Sequence, residues 1–279
     1  MNKLALLLPL CALFAFNAAA DVTYFAAVSA PGFNPSFPIV QTSASFSGTI
    51  NGATNSAAAN LATGMLGVLN AGTNVTTPGV YETIAQLGDT ITATSTASGL
   101  SGLNLGVNIT ENGTTSFTDP SSNFSFLWVY MFKPGTFDQT TFVTPGNVLI
   151  SRGYILGSGT NTNIADSLFT ANDVPVNGVF GDGQNTIPLQ IPFDTIGSNF
   201  QIELVLGSAE LVTGANETWS ADFIDPINVS LSAPDGVTLT SASGLLPGAV
   251  VPEPSSLPIS AAIIFLAVTV AAKRRRKTA

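Results

Sequence analysis

Carboxylates are the only abundant side chains in this 279-residue chain with the means to do chemistry. It contains no histidine, and its single cysteine is Cys11. Ser/His/Asp and Cys/His arrangements are therefore excluded, and with them the commonest general base and zinc ligand. A Ser–Lys pair would have to use Lys133, which precedes Pro134-Gly135 and reads as a solvated turn residue. No Gly-rich loop ends in the Gly-Lys-Ser/Thr that cradles phosphate. Paired carboxylates remain, with Glu203, Glu210, Glu217 and Asp222 as the candidates. A carboxylate-dependent hydrolase needs two of them facing each other in a cleft, about 5–10 Å apart. Glu203 lies among the polar positions of an alternating stretch, which places it toward solvent. Calcium would suit Phe180-Gly181-Asp182-Gly183-Gln184-Asn185, where an Asp and two amides offer hard oxygen ligands. That run lacks the alternating Asp residues and final Glu of an EF-hand, so a tight turn is the competing reading. Asp222 and Asp225, ahead of Pro226, form a second such pair. No cofactor is expected, calcium being the one ion these residues would suit. Trp219, Tyr154 and Tyr81 are candidate platforms for stacking on sugar rings, whereas Trp128, inside an apolar run, is expected in the core.

The elements that must position these residues read as β-structure. Asn199 to Leu206 alternates polar and apolar residues, as a half-buried strand does, and Ile187 to Phe193 does likewise. Phe124 to Phe132 is aromatic and β-branched. Val148 to Leu156, Thr218 to Ile224, Ile227 to Leu231 and Val237 to Ser241 add further strands. Asn112-Gly113 between two such runs predicts a two-residue hairpin. Turns are marked at Lys133-Pro134-Gly135, Pro145-Gly146-Asn147, Gly181-Asp182-Gly183 and Pro234-Asp235-Gly236. The Ala-rich stretch near 55–69 carries Leu61, Met65, Leu66 and Leu69 at roughly helical spacing, with Asn55 as a cap, and is read as one helix. Short strands with frequent turns and no βαβ rhythm predict an all-β, antiparallel, jelly-roll-like sandwich over residues 21–249.

Charge sets the compartment. Only 9% of residues are charged, against about 25% in an average soluble domain. Residues 21 to 250 carry two bases, Lys133 and Arg152, against sixteen acids, a net of −14. Such a body repels a phosphate backbone, so nucleic acid is not an expected partner. Residues 1–20 read as a signal peptide: Lys3, an apolar run from Leu4 to Phe16, then small residues at Ala18 and Ala20 for signal peptidase. The Sec translocon and signal peptidase are then the first partners.

The last thirty residues have a three-part order. Pro252, Glu253 and Pro254 form an extended motif. The sixteen residues Leu257 to Ala272 form an apolar helix, short of the ~20 needed to cross a bilayer core. Lys273, Arg274, Arg275, Arg276 and Lys277 follow and fix the end in the cytoplasm. This order resembles the PEP-CTERM sorting signal. The stretches Trp219 to Phe223, Ala233 to Val237 and Thr240 to Gly244 are similar to the last strands found ahead of that signal. The resemblance implies recognition by an exosortase-type membrane peptidase in a Gram-negative bacterium that makes exopolysaccharide. It implies cleavage near the motif and no enzymatic activity in the body. The expectation is an exported, non-enzymatic surface or extracellular-matrix protein, first anchored in the inner membrane and then at the cell surface or outside the cell. The alternatives are a carbohydrate-binding sandwich associated with exopolysaccharide, and a carboxylate-dependent hydrolase.

Overall fold

A computed structural model describes residues 24–29, 42–96, 99–119, 123–133, 148–157, 175–214 and 216–246. Both expected terminal helices, the signal-peptide site at Ala18 and Ala20, the motif Pro252-Glu253-Pro254 and the basic cluster Lys273–Lys277 lie outside them. No described helix is long and apolar enough to cross a membrane.

The described chain is an all-β sandwich of two sheets. The first contains β1 (Tyr24–Ser29), β5 (Gly79–Ser95), β7 (Asn123–Phe132), β8 (Val148–Leu156), β9 (Val176–Phe180), β11 (Asn199–Val212) and β13 (Val237–Ser241). Its order is β1-β5-β11-β7-β8-β9, with β13 also paired to β5. The second runs β10-β6-β12-β4-β3-β2. Its strands are β2 (Ser43–Ile50), β3 (Ala53–Asn60), β4 (Met65–Val75), β6 (Asn104–Phe117), β10 (Gly183–Pro192) and β12 (Glu217–Ser232). A single helical turn, α1 (Phe193–Ile196), links β10 to β11.

Alternation builds the core. On β5, Ala85, Leu87, Ile91 and Ala93 point inward; on β11, Phe200, Ile202, Leu204 and Leu206 do. The second sheet answers with Leu105, Val107, Ile109, Ala221, Phe223 and Val229. The strand β7 is buried on both faces. Leu127, Val129 and Met131 enter the main core, while Phe124, Phe126, Trp128, Tyr130 and Phe132 form a second cluster with Ile84, Ile155 and Val205 on the other face. Neighbouring rings along that row lie 4.5–6.0 Å apart, as aromatic packing favours. Trp128 is thus buried as expected, but in this outer cluster.

Four sequence expectations are corrected. The helix expected near 55–69 is a hairpin, β3 then β4, closed by a turn at Gly64. Ala53, Ala57 and Ala59 are buried on alternate positions against Val68 and Gly72, so packing on a sheet overrides the helical preference of alanine. The hairpin expected at Asn112-Gly113 is uninterrupted strand, with Gly113 opposite Gly183 and no positive φ at Asn112 or Gly113. A Cβ on Gly113 would lie 2.0 Å from the Phe223 ring, so this glycine serves close packing. The Asn-Gly hairpin of the molecule is Asn51-Gly52, with φ of 50° and 87°, between β2 and β3. The strands expected over 218–224 and 227–231 are one strand, β12, whose register shifts between Phe223 and Ile227, around Pro226. A bulge lets proline sit in an otherwise central strand. Finally, β8 and β9 pair in parallel within the otherwise antiparallel sheets.

Candidate functional site

The fold brings two of the four candidate carboxylates together. Glu210 stands on the inner face of β11, between Tyr81 on β5 and Asn123 on β7. Glu217 opens β12 in the other sheet, two residues before the inward-facing Trp219. Both are interior groups, 2% and 5% exposed. Burial, then the neighbouring Glu217, then Asp119 push the Glu210 carboxyl up to about 9. Protonated, it hydrogen-bonds Glu217. Two ionised carboxylates have no proton to share, and Oε2 of each then lacks a donor. Glu217 Oε1 is held by the Thr213 N–H at 2.8 Å and the Thr213 hydroxyl at 3.1 Å.

This pair sits at the polar end of the interior. Asn70 donates through Nδ2 to the Tyr81 carbonyl at 2.8 Å and the Ser208 carbonyl at 3.1 Å, and its Oδ1 accepts the Trp219 indole N–H at 2.9 Å. Thr83 donates to Asn55 Oδ1 at 2.9 Å, and Ser125 to Ser208 at 3.2 Å. The Asn70 bonds to Tyr81 and Ser208 and the Thr83–Asn55 bond cross from one sheet to the other, and all of these bonds satisfy groups that burial would otherwise penalise. The Tyr81 and Trp219 rings pack at 5.2 Å beside them.

Glu203 and Asp222 are elsewhere. Glu203 faces outward from β11, opposite Gly88 and Tyr130, and is half-buried where a solvent-facing residue is expected. It keeps some exposed surface, yet burial pushes its carboxyl to about 8, as it does for Glu82 on the same face. Glu82 lies six residues from Gly88, so the two are about 20 Å apart along the strands. Asp222 accepts the Ile224 N–H at 3.1 Å at the β12 bulge, and Asp225 is exposed.

The turn proposed for calcium is a turn, and it is closed by an amide. Asn185 Nδ2 donates to Glu111 on β6 and to the carbonyls of Gly181 and Gly183. It fills the position where these oxygens converge. Asp182 accepts both the N–H and the hydroxyl of Thr115, at 2.8 and 3.0 Å. Glu111, 1% exposed and missed by sequence reasoning, is pushed to about 6 by burial, against the Asn185 bond and with Asp182 adding to the rise.

The three aromatic platforms are not at the surface. Trp219, Tyr154 and Tyr81 are 3%, 4% and 2% exposed and pack into the molecule, so none offers a free face to a sugar. Lys133 is exposed at the end of β7. A groove of about 520 Å³ crosses the outer face of the second sheet and is lined by Ser43, Ser45, Ala58, Asn60, Met65 and Ile224 among others, with no carboxylate. Among the described residues, no three His, Cys, Asp or Glu side chains converge as a metal-ligand group.

Sequence reasoning also missed Asp89. It is buried on β5 and accepts the Thr90 N–H, the Ser243 N–H at 3.2 Å and the Ser243 hydroxyl. These bonds fasten the segment after β13 to the sandwich, with Leu246 1% exposed beyond it. The Asp89 carboxyl is raised by burial and lowered by its hydrogen bonds.

No family model matches the chain, and no curated protein matches it. Among solved structures it is similar to the Trichoderma harzianum endoglucanase 3 from family GH12, at 11% identity and a TM-score of 0.29, over 74% of this chain and 98% of that one. It is also similar to a structure reported for carbohydrate-binding modules of the β-sandwich superfamily, at 11% identity and a TM-score of 0.25, over 77% of this chain and 62% of that one. A third is the family 11 xylanase from Neocallimastix patriciarum, at 9% identity and a TM-score of 0.22, over 75% of this chain and all of that one. At these scores neither a finer fold nor a function is carried over.

Proposed function

We propose that this chain is an exported surface or extracellular-matrix protein, sorted through its C-terminal Pro252-Glu253-Pro254 motif and cleaved there by an exosortase-type membrane peptidase. The observation that carries this reading is the order of motif, short apolar segment and basic cluster from Val251 to Lys277. The sixteen-residue apolar run is shorter than a stable span, which favours a processed signal over a permanent anchor. The Sec translocon and signal peptidase act on the other end. The body is a non-enzymatic, jelly-roll-like sandwich whose chain passes repeatedly between sheets, as β4, β5, β6 and β7 do. Two features of the body support the reading. The candidate carboxylates that the fold brings together, Glu210 and Glu217, are sealed in the interior instead of lining a cleft. The segment after its last described strand is fastened by Asp89 and reaches a buried Leu246, only a few residues before Pro252.

Motif variants test the sorting step. In cells that possess the peptidase, Glu253→Ala together with Pro252→Ala is expected to accumulate as an uncleaved, membrane-bound form, while the wild-type body leaves the membrane fraction. Equal processing of both forms would overturn the assignment of the motif.

A further inference from the structure

We infer that Glu210, Glu217 and Asn123 form a buried calcium site that links the two sheets. Three oxygens carry the inference. Oε2 of Glu210, Oε2 of Glu217 and Oδ1 of Asn123 are all buried and have no hydrogen-bond donor. Asn123 and Glu210 are direct cross-strand partners on the inner face, so their side chains project side by side. Glu217 meets Glu210 from the opposite sheet, its other oxygen fixed by Thr213. Asn123 Nδ2 is already engaged, donating to the Asp119 carbonyl at 3.3 Å, which fixes Oδ1 as the free, acceptor-only end.

Acceptors without donors are costly when buried, unless a cation or proton takes the donor's place. A proton on Glu210 satisfies one carboxylate pair but leaves Asn123 Oδ1 alone. A divalent cation would answer all three oxygens together. Carboxylate and amide oxygens are hard ligands, which selects calcium or magnesium over softer metals. Magnesium keeps several waters and demands near-ideal octahedral geometry, so a closed interior position formed from three side chains of two sheets favours calcium. Backbone carbonyls or water would supply the remaining ligands. The site is distinct from the Asp182 turn, where the Asn185 amide already occupies the convergence point. It stands independently of the sorting reading.

The test is thermal unfolding of the full-length chain in detergent after stripping with chelator, followed by addition of calcium chloride or magnesium chloride. Calcium at about a hundredfold excess over its Kd is expected to raise the unfolding midpoint by roughly 5–10 °C, with magnesium giving much less. Glu210→Gln with Glu217→Gln should abolish the calcium shift, and the metal-free form should be at least as stable as wild type because the buried carboxylate pair is replaced by neutral amides. Asn123→Asp gives a second readout that survives a folding defect in the first: a lower metal-free midpoint and a larger calcium shift. Asp182→Asn should leave the calcium shift unchanged. No shift in the wild type at about 10 mM calcium, beyond the range of weak extracellular sites, would overturn the inference. So would a shift retained by the double variant or lost with Asp182→Asn.

Discussion

Acids wholly or partly withdrawn from water define this molecule at the residue scale. Glu82, Glu203, Glu111 and Glu210 all have carboxyl groups held above their ordinary value near 4.5, with burial as the leading cause. Each therefore keeps a proton in the folded state that the unfolded chain has released. The folded state binds more protons from about pH 4.5 up to about 8–9, so stability is fully present below that window and falls as pH rises through it. Urea midpoints of the chain, measured in chelator, are expected to decline steadily from pH 5 to pH 9. Glu82→Gln with Glu203→Gln should flatten the upper part of that decline. A midpoint that is constant or rises with pH would contradict the burial of these groups. The identities of Glu203, Glu210 and Glu217 as the acids to watch were readable from the sequence. Their environments were not, because whether an alternating strand has a dry or a wet second face depends on what lies against it. Glu203 illustrates this: its polar neighbours Gln201 and Asn199 suggested solvent, yet Tyr130 and the rest of the β7 aromatic row stand beside it.

At the scale of elements, β10 and β11 contain the stretches that alternation marked, and β7 the one marked by aromatic and β-branched residues. Local punctuation was the weaker guide. Asn-Gly occurs at 51–52, 112–113 and 177–178, but only the first turns, the others lying inside β6 and β9. What separates them is tertiary: Gly113 lies under the Phe223 ring, and a turn there would remove β6 from between β10 and β12. Gly113→Ala is therefore expected to destabilise the protein by about 1–3 kcal/mol in denaturant titrations, the range for overpacking. Asn112→Ala, at an exposed position beside it, should change stability by less than about 0.5 kcal/mol. Equal effects at the two positions would show that Gly113 is not a packing residue. The Ala-rich stretch failed as a helix for a related reason. Alanine alternating with Asn and Ser suits a sheet pressed closely against another, and β3 carries Asn55 into the interior to accept from Thr83.

The whole molecule divides into a body and its ends. The described body is a two-sheet sandwich fastened across its polar end by Asn70 and by the Thr83–Asn55 bond, and just after its last described strand by Asp89 and Ser243. Its fold class was legible because strand periodicity is local. The interior polar set was not, since Asn55, Asn70, Asn123 and Glu210 come from four strands and meet only once the sheets pack. In the proposed function the ends carry the address, and the order from Val251 to Lys277 is the feature on which the proposed export and sorting rest. The most direct test is the intact mass of the protein recovered from its native cells. A species that begins near Asp21 and ends close to Pro252–Pro254, with the Leu257–Lys277 segment gone, is the predicted result. A single species retaining the C-terminus through Lys277 would contradict it.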